Sequence, residues 1–123
     1  MREFLLVGTG GFLGAIARYS VSLAFAGSGP PLSTLPVATL LVNVVGSFAI
    51  GTVAGWIETG SLEDAHRQFL AVGLLGALTT FSTFSLETLA LLRVGSYGIA
   101  GLFILLNVAL SLGAARLGLA LTS

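Results

Sequence analysis

Apolar residues fall into four long runs, about residues 4–26, 35–57, 68–93 and 98–121, separated by short polar stretches. Each run reaches the roughly 20 residues that a helix needs to cross a bilayer core. The first connector, "GSGPPLSTLP" (Gly27–Pro36), is turn-rich and ends any helix that enters it. The second, "ETGSLEDAHR" (Glu58–Arg67), holds three of the five acids and the only histidine, His66. A tight "VGSYG" turn separates the last two runs. The pattern predicts an all-α membrane protein, a single four-helix domain over 1–123, with no soluble domain and no long repeat. One run departs from it. "GALTTFSTFSLE" (Gly76–Glu87) puts five hydroxyl residues, two phenylalanines and an acid inside the third span.

Composition agrees with the bilayer as solvent. The chain of 123 residues is 55% hydrophobic and 8% charged, against roughly 25% charged for a soluble domain. A soluble fold this short could not hide so much apolar surface. Five arginines balance five acids with no lysine, and no basic patch forms, so nucleic acid is excluded as a partner. Cysteine is absent, which removes disulfides and thiolate metal sites. The start, "MREFLLVGTGGFLGAIARYS", imitates a cleavable signal at Ala15-Ile16-Ala17, but apolar character resumes beyond Arg18. It is read as a retained first span.

Charge also bears on orientation, which normally follows the Lys and Arg excess on the cytoplasmic side. Arg2, Arg67 and Arg116 fall to one side of a four-span layout, Arg18 and Arg93 to the other. So balanced a chain can insert either way up, and four helices are too few to enclose a pore alone. Both points favour an antiparallel, dual-topology homodimer. Small residues at four-residue spacing, Gly10/Gly14, Ser47/Gly51/Gly55 and Ala109/Gly113, suit close contact between membrane helices.

Two features resemble chemistry that the chain does not support. "GTGGFLG" (Gly8–Gly14) looks like a dinucleotide-binding loop, but Leu13 stands where the third glycine belongs. No acid follows until Glu58 to hold a ribose, so helix packing explains the glycines better. His66 sits in a polar stretch without a second histidine or a cysteine nearby, and reads as a solvated loop residue. Paired carboxylates, nucleophile–base pairs and metal clusters are absent, so the sequence gives enzymatic chemistry no support.

What remains is polarity within the spans. Asn43 lies near the middle of the second, and Asn107 and Ser111 lie one turn apart in the fourth, with Phe103 one turn earlier. Arg18 and Glu87 are ionisable groups nearer span ends. Polar groups at such depth are expensive and usually face a cavity or the bundle interior. One asparagine alone is explained as well by an interhelical hydrogen bond; several at similar depth favour a polar pathway. In the third span, helical phase groups Thr79, Ser82 and Thr83 on one face and Phe81, Phe84 and Ser85 on another. Threonine hydroxyls can bond carbonyls of the preceding turn, and Gly73 and Gly76 ease departure from the helix. A helix broken near its middle frees carbonyls that must find a partner, such as a cation in an unwound transporter helix. Two antiparallel copies would bring two breaks together around one monovalent cation. Phenylalanine edges carry partial positive charge, and Asn43 can add amide N–H donors. Such weak donors suit conduction of an anion, where binding must be escapable.

"GALTTFSTFSLE", with "GGFLGAIARY" in the first span and "LVNVVGSFAIG" in the second, closely resembles the hallmark stretches of the Fluc, or CrcB, fluoride-channel family. The resemblance covers essentially the whole chain. It implies a dual-topology homodimer in the cell membrane, with two fluoride pores and passive export of fluoride. It further implies that Phe81 and Phe84 face the ion in an aromatic box and that Asn43 lines the pore. Backbone carbonyls of Gly76 and Thr79 from both subunits would hold a structural sodium ion (Na+) that is not transported. Ser82 and Thr83 would join a polar track, with Phe103, Asn107 and Ser111 on the fourth span. Arg18 and Glu87 resemble family positions near the pore ends, in a vestibular or structural place. Asn107 departs from the hydroxyl residue that the family tends to carry there.

Two other kinds of small membrane protein share this size and layout. A small proton-coupled multidrug transporter is also short and four-spanning, but wants a carboxylate deep in its first span, where this chain has no acid after Glu3. A structural membrane subunit leaves Asn43 and the polarity of the third span unexplained.

Overall fold

A computed structural model of the chain describes residues 1–26 and 35–123. Most of the Gly27–Pro36 connector lies outside the described residues. Four helical stretches are long and apolar enough to cross a membrane: Arg2–Phe25, Val37–Glu58, Asp64–Arg93 and Tyr97–Ala120. Large apolar side chains such as Phe4, Phe12, Leu86 and Leu112 point outward. A soluble fold would bury them; lipid accepts them without penalty.

The first and second spans are continuous helices, α1 (Arg2–Phe25) and α2 (Val37–Glu58). The third is composite: α3 (Asp64–Arg67), a π-helical stretch (Gln68–Leu75), a single turn α4 (Gly76–Leu78), and α5 (Phe81–Arg93). The fourth is α6 (Tyr97–Ala120). The third span starts earlier than the apolar run alone indicates. Glu63 is extended at the N-cap and Asp64 lies in the first turn, where an acid favours the positive end of the helix dipole. His66 is therefore an exposed helical residue rather than a loop residue.

Two glycines end helices by adopting a left-handed backbone, Gly60 (φ 70°) after α2 and Gly95 (φ 77°) after α5. At the second, the Ser96 N–H donates to the Leu91 carbonyl at 2.9 Å and the Gly95 N–H to Leu92 at 3.1 Å. This Schellman closure satisfies carbonyls that a helix end leaves free, and it makes the predicted tight turn between the last two spans.

Backbone-to-backbone contacts set the packing. A Cβ on Gly14 would run into the Leu74 carbonyl, and one on Gly10 into that of Phe69, so α1 lies directly against the π-helical stretch. Gly51 and Gly118 do the same between α2 and α6, meeting the Ala115 and Phe48 carbonyls. The Ala109/Gly113 pair predicted for helix contact is instead exposed within the chain. Gly118, five residues beyond Gly113 on α6, takes that place because it is the residue opposite α2.

The third span bends at Thr79 (φ −76°, ψ 152°) and Thr80 (φ −149°, ψ 120°), both extended. Before the bend the span packs on α1; after it, α5 packs on α6. The small core of Leu91, Ala100 and Phe103 forms there, joined by Leu40, Phe84 and Ile99.

Candidate functional site

Two extended residues inside an apolar bundle leave N–H and C=O groups that need partners. Asn43 on α2 supplies them for Thr80. Its Oδ1 accepts the Thr80 N–H at 2.8 Å, and its Nδ2 donates to the Thr80 carbonyl at 3.2 Å. The same Nδ2 donates to Asn107 Oδ1 on α6 at 3.0 Å. Asn107 Nδ2 in turn donates to the Phe103 carbonyl at 3.1 Å. Three spans are thus tied together through two side-chain amides.

The hydroxyls define the rest of the bend. Thr79 Oγ1 donates back to the Leu75 carbonyl at 2.9 Å, the back-bonding anticipated from sequence. Thr80 Oγ1 accepts the Thr83 N–H at 3.2 Å and so caps α5, and it donates to Thr83 Oγ1 at 3.1 Å. Ser82 Oγ lies 3.3 Å from Thr80 Oγ1 and is otherwise exposed. Among the described residues, no hydrogen-bond donor reaches the carbonyl oxygens of Gly76 and Thr79.

A groove of about 290 Å³ opens beside the bend. Asn43, Ser47 and Ile50 of α2 line it, with Thr79, Thr80, Phe81 and Phe84 of the third span and Asn107 and Ser111 of α6. The structure thus brings Asn43, Thr79, Phe81, Phe84, Asn107 and Ser111 together. Phe81 and Phe84 stand with ring centroids 5.5 Å apart and planes tilted by 47°. Phe84 leans on Phe103 at 5.4 Å. Phe81 is 79% exposed, whereas Phe103 is fully buried behind Phe84 and does not line the groove. Among the described residues, no ionised side chain lines this groove.

The other predicted residues lie elsewhere. Arg18 and Thr83 line a second cavity of about 170 Å³, with Tyr19, Ser22, Thr39 and Thr80 among its walls. Thr80 is the wall that the two cavities share. Glu87 lies one turn beyond Thr83, beside Thr39. Arg18 Nε, Glu87 Oε2 and Ser111 Oγ are buried without a hydrogen-bond partner among the described residues, and Arg18 and Glu87 are not paired with each other. Gly76 is exposed on the outer surface of the chain.

Sequence reasoning did not single out Thr80, the hub of the bend, nor Thr39, and it assigned Ser47 to helix contact rather than to the groove it lines. A signal for Thr80 was present. Threonine immediately before the first residue of an apolar-periodic helix is an N-cap signal.

Four apolar spans and an uncharged polar groove at the bend of one of them define a small multi-pass membrane protein with a candidate path for a solute. Among the described residues there is no cluster of His, Cys, Asp and Glu fit to hold a metal ion. The chain belongs to the CrcB family: the pattern described as "CrcB-like protein, Camphor Resistance (CrcB)" matches residues 5–119. It is 49% identical over 118 residues to the fluoride-specific ion channel FluC of Methanococcus maripaludis, covering 96% of this chain and 93% of that protein. Identity is 45% over 120 residues to the FluC protein of Saccharophagus degradans, with 97% and 88% covered. To that of a Sulfurovum species it is 48% over 124 residues, with 98% and 95% covered. These relatives are named as ion channels and not as enzymes.

Proposed function

We propose that the chain is a fluoride channel of the cell membrane that lets cytoplasmic fluoride leave passively down its electrochemical gradient. The observation that carries this reading is the groove itself. Aromatic rings, amides and hydroxyls meet there without a lysine or arginine to trap an anion or a carboxylate to repel it. Weak, closely spaced donors let a small anion shed part of its hydration and still escape. The relatives' names select fluoride from among the anions. Fluoride crosses membranes as neutral HF, dissociates at cytoplasmic pH and is trapped as the anion, so a passive selective path lowers its internal level.

The groove is open along the chain's outer surface, and Phe81 is exposed in it. A second, antiparallel copy would close it, giving a dual-topology homodimer with two pores. The near balance of arginines across the spans is compatible with both insertions. In such a dimer the third-span bend acts as a break, and the uncommitted carbonyls of Gly76 and Thr79 from both copies fit a hard monovalent cation. Sodium would there neutralise carbonyl dipoles that lack donors, as a structural ion and not a transported one. Thr83 and Ser82 continue the polar surface from the cap, while Arg18 and Glu87 lie nearer the ends of the path.

A proton-coupled carrier would need an acid deep in α1, and the only one is Glu3 in its first turn. Liposomes loaded with fluoride and containing the purified protein separate the readings. The account expects rapid efflux once a potassium ionophore removes the electrical back-pressure, at a rate indifferent to a protonophore. No efflux, or efflux that needs the protonophore, would contradict it.

A further inference from the structure

The two asparagines of the chain, Asn43 and Asn107, are not equivalent in the groove. Their orientations follow from the backbone. The Thr80 N–H can only donate and the Thr80 carbonyl can only accept, so Asn43 must present Oδ1 to the first and Nδ2 to the second. The Asn43 NH2 group has two hydrogens. One goes to the Thr80 carbonyl and the other to Asn107 Oδ1. That leaves Asn43 no N–H to offer a solute. It also fixes Asn107, because turning that amide over would set two NH2 groups against each other and two carbonyl oxygens together at Phe103.

Asn107 then has one N–H on the Phe103 carbonyl and one without an acceptor among the described residues. It is 6% exposed and lines the groove together with Phe81, Phe84 and Ser111. An unused N–H in so dry a place is a donor looking for an acceptor. We propose that the side-chain N–H that meets the anion in this chain belongs to Asn107, and that Asn43 is the positioning residue that aims it. Asn43 clamps Thr80 with one end of its amide and turns the Asn107 carbonyl away from the groove with the other. The inference rests on the fluoride-channel reading for the identity of the anion, but the geometry assigns the donor independently of it. It transfers to Asn107 the donor role that sequence reasoning gave to Asn43.

Because these are the only asparagines, 15N-asparagine labelling of the full chain in detergent micelles gives two side-chain NH2 groups. Titration with sodium fluoride against sodium chloride at constant ionic strength should move one Asn107 amide proton downfield further than either Asn43 proton. A larger shift at Asn43, or none at either amide, overturns the assignment whether or not the protein conducts. In liposomes, Thr and Val at position 107 have one shape and differ in a hydroxyl that can accept from Asn43 and donate to the ion. Asn107→Thr should keep fluoride efflux within about tenfold of wild type, and Asn107→Val should lose at least about a hundredfold while still eluting as the same oligomer. Equal efflux from the two variants would show that no donor is needed at this position. If wild type itself fails to pass fluoride, the channel reading falls, while the titration still decides which amide meets the anion.

Discussion

Replacing Thr80 by valine exchanges a hydroxyl for a methyl at the residue on which the bend turns. Valine keeps the branched shape that suits φ −149° and ψ 120°, and Thr80→Val leaves both backbone hydrogen bonds to Asn43 in place. The cap is lost: Oγ1 no longer accepts the Thr83 N–H or donates to the Thr83 hydroxyl. Removing an N-cap of this kind costs about 0.5–2 kcal/mol. Thr80 is 9% exposed, so water compensates little and the upper half of that range, about 1–2 kcal/mol, is expected. Thr80→Ser keeps a capping oxygen and should lose a few tenths. Asn43→Ala removes three hydrogen bonds and leaves two groups of a buried residue unpaired, at about 1–3 kcal/mol for each group. Thermal unfolding in detergent, read beside fluoride efflux, should rank the proteins wild type, Thr80→Ser, Thr80→Val, Asn43→Ala. A Thr80→Val protein that melts with wild type would show that the cap does not hold the bend. One that melts below Asn43→Ala would show that the hydroxyl, and not the asparagine, is its main support.

Phe81→Ala should reduce fluoride efflux by at least tenfold with little effect on melting, because the ring is exposed and packs on little besides Phe84; wild-type efflux would place the path elsewhere. Gly14→Val drives a side chain into the Leu74 carbonyl and toward Ala77 Cβ, an overpacking that costs about 1–3 kcal/mol. Gly98→Ala, which meets open space, should be near neutral in the same melting assay, and equal losses in the two would refute the close α1 contact. For sodium, a crystal structure of the proposed antiparallel dimer should show density between the paired Gly76 and Thr79 carbonyls; carbonyls bonded to protein or water there would remove the ion from the account.

The spans were legible because a bilayer demands long apolar runs, and the polar interruption of the third marked the bend to within a few residues. Its exact seat was not. Gly73 and Gly76 drew attention as flexible points, yet the π-helical stretch and α4 carry both, and the chain leaves the helix at Thr79–Thr80. The reason lies 37 residues away, where Asn43 satisfies the Thr80 backbone. No periodicity reports a partner on another helix. Phe103 and Asn107 sit one turn apart in sequence, but only packing decides that the ring is buried behind Phe84 while the amide lines the groove. Arg18 and Thr83 share a cavity for the same tertiary reason, with Thr80 as the wall between it and the groove.

The central claim is that fluoride itself carries charge through this protein. Planar-bilayer current under a tenfold fluoride gradient tests it most directly, with chloride balancing ionic strength and pH equal on both sides. The account predicts a current that reverses at the fluoride equilibrium potential, about 59 mV from zero for a monovalent ion, and that stays there when a pH gradient is added. A reversal potential that follows the proton or chloride gradient, or a bilayer that stays silent at every voltage, would contradict it.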